Sequence, residues 1–243
     1  MKFLLVLILL GTVFGARAAP AVPDTIAQRL QACTGCHGKE GRAARDGYHP
    51  RIAGKPADYL YHQLQGFRDG RRQYALMTSL LDPLSDAYLR EIAAYFSSLD
   101  LPYSPPAPGP ALPAEVARRG ETLTREGDPA RKLPACAQCH GSALTGVAPA
   151  IPGLLGLPRD YLVAQLGAWR TGTRRALAPD CMAQVAQALT ADEVSAIAQW
   201  LAVQPVPEPA HPAKTLPAAL PITCGGVPDV TIPVSTAVTK VSP

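Results

Sequence analysis

Two short runs of the chain set paired sulfurs beside an imidazole. Residues 33–37 read Cys-Thr-Gly-Cys-His and residues 136–140 read Cys-Ala-Gln-Cys-His, with Gly38 and Gly141 directly after. Two cysteines separated by two residues and followed by a histidine form the attachment signature of a c-type haem. Cys33 with Cys36, and Cys136 with Cys139, each match the two vinyl groups of one macrocycle. His37 and His140 then turn an imidazole beneath the iron as its metal ligand. A zinc site would need two more ligands in each run, and none stands at a sensible spacing. A redox dithiol needs no histidine and belongs to an alternating strand–helix pattern. Two haem c groups, covalently bound, are expected.

The opposite face of each iron needs a ligand or a reason to lack one. Beyond the initiator the chain has two methionines, Met77 and Met182, 40 and 42 residues after His37 and His140. A lone methionine is ordinary core packing. Two in equivalent positions are expected to be the axial ligands. Histidine plus methionine raises the potential and closes the iron, which favours electron transfer over catalysis. A di-haem enzyme of the peroxidase type would need an open iron. His49 and His62 have no histidine counterpart in the second run. They are expected at the surface or the haem edge, with one of them the alternative to Met77. His211 is expected in solvent.

The elements that position these residues come in two copies. Gly54 to Gly70 lies over Gly156 to Gly172, Leu84-Ser85 over Leu189-Thr190, and Ile92-Ala93 over Ile197-Ala198, at an offset held between 102 and 105. A match sustained from motif to motif marks a duplicated domain. Each copy reads as about three main helices around long irregular loops. Asp24 is the expected cap of a helix entering the first motif. Pro56 and Pro158 open a middle helix that Gly70 and Gly172 end. Ser85 and Thr190 cap a last helix, with Leu89, Ile92, Ala93 and Phe96 on one face of the first. Proline crowds residues 101–113 and recurs after Val203, which predicts an extended connector and a tail without helical period.

The chain's 243 residues, 47% hydrophobic, suffice for packed cores and exclude global disorder. The net charge of +4 is spread without a basic tract, so no nucleic acid partner is expected. Lys2, the apolar run Phe3 to Phe14 and Ala16-Arg17-Ala18 form a cleavable export signal. The run is too short to span a bilayer, so no transmembrane anchor is expected after cleavage. Export places the protein in the periplasm, where disulfides persist.

The chain resembles the bacterial di-haem cytochromes c of the cytochrome c4 type. Cys33-x-x-Cys36-His37-Gly38, Ile52-Ala53-Gly54, Tyr59-Leu60-x-x-Gln63-Leu64-x-x-Phe67-Arg68-x-Gly70 and Met77 carry the resemblance in the first copy. Cys136-x-x-Cys139-His140-Gly141, Tyr161-Leu162-x-x-Gln165-Leu166 and Met182 carry it in the second. It implies an all-α fold of two tandem class I cytochrome c domains joined by a Pro-rich linker. The divisions are a signal peptide 1–18, domains 19–100 and 114–204 about a linker 101–113, and a tail 205–243. It implies an electron carrier rather than an enzyme, with redox protein partners such as a terminal oxidase, a dehydrogenase or a bc1-type complex. A cytochrome subunit of a periplasmic dehydrogenase is the alternative.

Two cysteines depart from that pattern. Cys181 precedes Met182, and Cys224 lies in the tail. In an exported protein a leftover pair is expected to be a disulfide; the alternative makes Cys181 an iron ligand. Arg68, Arg71 and Arg72, with Arg170, Arg174 and Arg175, cluster after each middle helix. They suit either a solvated helix end or pairing with haem propionates or an acidic partner.

Overall fold

The computed structural model describes residues 23–44, 46–106 and 111–228. The expected signal peptide and the end of the tail lie outside them. The first half holds helices α1 (Ile26–Arg29), α2 (Gln31–His37), α3 (Ala57–Arg68), α4 (Ala75–Leu81) and α5 (Asp86–Ser98). The second holds α6 (Ala114–Arg125), α7 (Cys136–His140), α8 (Arg159–Arg170), α9 (Cys181–Ala188) and α10 (Ala191–Val203). In both, a helix carrying the Cys-His motif is followed by a middle helix, a short helix with the methionine, and a last helix. The short methionine helices add to the three per copy expected from sequence. A two-residue antiparallel pair, β1 (Gly146–Val147) with β2 (Ile151–Pro152), stands in the loop after α7. So short a pair leaves no alternating pattern to read.

Local chemistry explains most boundaries. Ser85 Oγ accepts from the Tyr88 N–H at 3.3 Å, and Thr190 Oγ1 from the Glu193 N–H at 3.2 Å, at the starts of α5 and α10. The first helix is capped by Thr25 rather than Asp24: Thr25 Oγ1 accepts from the Gln28 N–H at 3.2 Å. Asp24, one position outside, reaches Arg29 at 3.2 Å instead.

Each half has its own apolar core. Leu30, Leu60, Phe67, Leu89, Ile92 and Phe96 fill the first; Leu123, Leu162, Val194, Ile197, Trp200 and Leu201 fill the second. Phe96 is 1% exposed, so truncating it to alanine costs about 3–5 kcal/mol. In the second half α6 crosses α10 almost backbone to backbone. A Cβ on Gly120 would sit 2.4 Å from the Ala196 carbonyl oxygen, so only glycine admits this approach.

The halves meet along the segments after their middle helices. Arg72 and Arg174 form an antiparallel bridge, the Gln73 N–H donates to Thr173 O at 2.9 Å, and the Arg175 N–H donates to Arg71 O at 2.7 Å. The tail then straps the second half. Ala213 exchanges backbone bonds of 2.8 Å with Gly146 and Ala148, and Leu216 is buried against Val147 and Ile151. Cys224 is joined to Cys181 by a disulfide. His211 lies 3.6 Å from Asp100 but stays 58% exposed. Among the described residues no helix is long and apolar enough to cross a membrane.

Candidate haem sites

The attachment residues share one geometry in both halves. α2 carries Cys33, Cys36 and His37, and α7 carries Cys136, Cys139 and His140. His37 Nδ1 lies 2.8 Å from the Pro50 carbonyl oxygen, and His140 Nδ1 lies 2.7 Å from that of Pro152. A carbonyl only accepts, so Nδ1 holds the proton and Nε2 keeps its lone pair free for a metal. Burial pushes both imidazoles below the usual histidine range, against the opposing pull of the two carbonyls. Burial thus favours the neutral ring in both. The glycine after each motif turns the chain: Gly38 has φ +75°, and a Cβ there would fall 2.2 Å from the Ala43 oxygen.

Three of the four sulfurs, those of Cys33, Cys136 and Cys139, are partly buried, and Cys36 is exposed. Burial pushes the Cys136 thiol up to about 11 and raises Cys33 and Cys139 as well. A redox-active dithiol shows the reverse, a lowered thiol pKa. Among the described residues no group of three or more His, Cys, Asp or Glu gathers as a metal site.

Met77 lies on α4, partly buried against the first core. Met182 lies in the first turn of α9, which Asp180 caps by accepting from the Ala183 N–H at 3.0 Å. Cys181, one residue before Met182, is held in the disulfide to Cys224 and so offers no thiolate to an iron. His49 Nδ1 lies 2.6 Å from Asp46 Oδ2, and its ring stands edge-on to His37 at 6.1 Å between centroids. His62 is half-buried on α3, where burial lowers its pKa.

Four of the six clustered arginines divide into two roles. Arg68 donates to the Leu84 carbonyl at 3.1 Å, and Arg170 donates to that of Leu189. Each ties its middle helix to the segment entering the last helix. Arg72 and Arg174 instead cross between the halves. Arg72 donates to Gln63 at 3.1 Å within its own half, and to Gln165 at 2.7 Å and Tyr161 at 3.2 Å in the other. Arg174 mirrors it, donating to Gln165 at 2.8 Å and, across the interface, to Gln63 at 2.7 Å and Tyr59 at 3.5 Å. Arg174 is 4% exposed. Neither guanidinium meets a carboxylate among the described residues. They stack on Phe67 and Trp169 at 4.4 and 3.8 Å, and the buried Trp169 Nε1–H has no acceptor. Buried cations are ordinarily paired. The buried Arg174, the half-buried Arg72 beside it and an idle indole donor fit the carboxylates of two haems.

Two further buried cations, Arg51 and Lys55, were not apparent from the sequence. Lys55 is 4% exposed, and its Nζ donates across the interface to the Gly153 carbonyl at 3.1 Å. Burial, with repulsion from Arg51, brings its pKa down to about 8.

No family model matches the chain. A thiosulfate dehydrogenase electron acceptor from Thiomonas intermedia (strain K12) is 38% identical over 206 residues, 85% of this chain and 93% of its own. Cytochrome c4 from Pseudomonas aeruginosa is 36% identical over 187 residues, 75% of this chain and 90% of its own. The crystal structure of reduced recombinant cytochrome c4 from Pseudomonas stutzeri superposes with a TM-score of 0.60 at 31% identity, covering 72% of this chain and 95% of that one.

Proposed function

The chain belongs to the di-haem cytochrome c4 family of electron carriers, and on that premise we propose that it accepts electrons from a thiosulfate-oxidising dehydrogenase in the periplasm. Its two haem c groups supply the one-electron chemistry. The protein residues hold, orient and enclose them. In this reading Cys33, Cys36, Cys136 and Cys139 anchor the haems, His37 and His140 ligate from one side, and Met77 and Met182 from the other. Residues 1–18 are removed on export. Domains 19–100 and 114–204 flank the linker 101–113, and 205–243 is a Pro-rich tail.

The observation that carries the ligand assignment is the repeated bond of a motif histidine to a prolyl carbonyl, which leaves one ring nitrogen free at the same place in both halves. The choice of donor follows the acceptor from Thiomonas intermedia, whose length the chain nearly spans. The experiment is rapid mixing of the oxidised protein with thiosulfate. Both haems should be reduced when a thiosulfate dehydrogenase is present and remain oxidised without it. Reduction by a quinol-oxidising bc1-type complex alone would replace this donor with the respiratory one and leave the carrier role intact.

A further inference from the structure

The two copies differ at the loop that holds the proximal histidine. In the first, Pro50, which bonds His37, is followed by Arg51. In the second, Pro152, which bonds His140, is followed by Gly153. Arg51 is a buried cation, 5% exposed, that donates to Ala53 O at 3.1 Å and to the connector carbonyls of Leu101 and Pro102. The second copy has no side chain at that position.

A cation from the other domain reaches that residue instead. The Lys55 ammonium ends on the carbonyl oxygen of Gly153 itself. Consecutive carbonyls of one strand end, Pro152 and Gly153, thus receive His140 from within the second domain and Lys55 from the first. The arrangement is not reciprocated: the repeat places Leu157 opposite Lys55, and Leu157 is buried in the second core. No carboxylate among the described residues lies within ion-pair distance of Lys55. The protein itself therefore supplies no carboxylate to neutralise this charge.

We propose that Lys55 is a positioning residue lent by the first domain to the second haem site, where it stands in for the missing arginine and holds the second haem's reduction potential up. The ferric centre carries one more positive charge than the ferrous one. A fixed buried cation beside its proximal loop therefore disfavours the oxidised form. Lys55 also holds that loop, and with it the Pro152 carbonyl that orients His140. The potential of the second haem is in this way linked to the docking of the two domains. The inference rests on the assignment of His140 as a ligand.

The test is Lys55→Met, with Lys55→Arg as the charge-retaining control, in the full haem-loaded chain. Each haem's titration is followed by NMR signals assigned through the neighbours of Cys36 and Cys139. In Lys55→Met the second haem should become easier to oxidise. The equilibrium constant for electron distribution between the haems should shift about tenfold, some 59 mV for a one-electron couple. The first haem should move much less, and Lys55→Arg should restore most of the shift. Equal potentials in wild type and Lys55→Met, or equal shifts of both haems, would overturn the proposal even where the melting temperature falls. The ligand assignment is read separately. Replacement of His140 by alanine must abolish the low-spin spectrum of the second haem in the otherwise unaltered chain, and its persistence would remove that premise whatever Lys55 does.

Discussion

In the first domain the helix bearing Met77 turns Leu76 and Leu80 to solvent, 63% and 48% exposed. In the second, the helix bearing Met182 begins at a disulfide, and the strap from Ala213 to Cys224 lies over the same domain. The contrast extends through both frames. The first domain opens on the four-residue α1, whereas the second opens on the twelve-residue α6 crossed tightly over α10 through Gly120. The same motif residues and methionine are thus held in one domain by its own core and in the other by core, covalent bond and tail. A duplicated domain can keep its cofactor residues while its supporting structure diverges. The divergence shows where each copy is stabilised and on which partner it leans.

The largest effect separates the copies outright. Replacing Cys136 and Cys139 with serine should leave a chain carrying one haem, seen as the loss of one haem mass and half the haem absorbance. The Cys33 and Cys36 pair should give the same loss from the other domain. Next come the methionines. In Met77→Leu or Met182→Leu about half of the near-infrared sulfur-to-iron band should disappear, and one potential should fall. An unchanged band in either variant would strike that residue from the ligands and break the symmetry of the comparison at its centre.

The strap comes third. Cys181 and Cys224 are 43 residues apart in sequence. In the chain-entropy model a loop of that size contributes roughly 3–4 kcal/mol. Cys224→Ser should therefore lower the unfolding free energy of the second domain by up to that amount, measured in denaturant. It should weaken the band of the second haem and leave that of the first as it was. Equal loss in both domains would mean that the strap supports the pair rather than the second domain alone.

Much of this was legible in the residues. The duplicated Cys-x-x-Cys-His runs, the matched methionines, the prolines before α3 and α8 and the caps Ser85 and Thr190 are local signals, and each led to its element. The disulfide followed from counting cysteines in a chain expected to be exported. What could not be read depends on partners distant in sequence. Nothing local to Pro50 or Pro152 says that their carbonyls receive an imidazole 13 and 12 residues earlier. Arg72 and Arg174 look like any basic helix end until the two domains are docked and each reaches the other's glutamine and tyrosine. Asp24 and Thr25 are both good caps, and a shift of one residue decided between them. The place where the two copies fail to match, Arg51 against Gly153, was the available pointer to Lys55.

The smallest effect tests how the last helix is anchored. In the second domain Glu193 closes a capping box. Its carboxylate accepts from the Thr190 N–H at 2.9 Å and from Arg131 at 2.7 Å, and Arg119 joins them. The equivalent residue in the first domain is Tyr88, and the cap there is Ser85 alone. Burial would raise the Glu193 carboxyl, but the Thr190 N–H and the two arginines outweigh it and hold the pKa down at about 2. A carboxylate with a depressed native pKa stabilises the fold above its unfolded value of about 4.5, and that contribution is lost as pH falls toward 2. The second domain should therefore lose stability between about pH 4.5 and pH 2 more steeply than the last helix of the first would predict. Glu193→Gln keeps the shape and removes the charge. It should cost about 2 kcal/mol at neutral pH, the range for hydrogen bonds to a charged group. It should also flatten that acid limb, so that wild type and variant converge near pH 2. A variant whose acid limb runs parallel to the wild type would place the pH sensitivity elsewhere, with Asp86 next in line. The Asp86 carboxyl is held down by Arg68 at the start of the corresponding helix in the first domain.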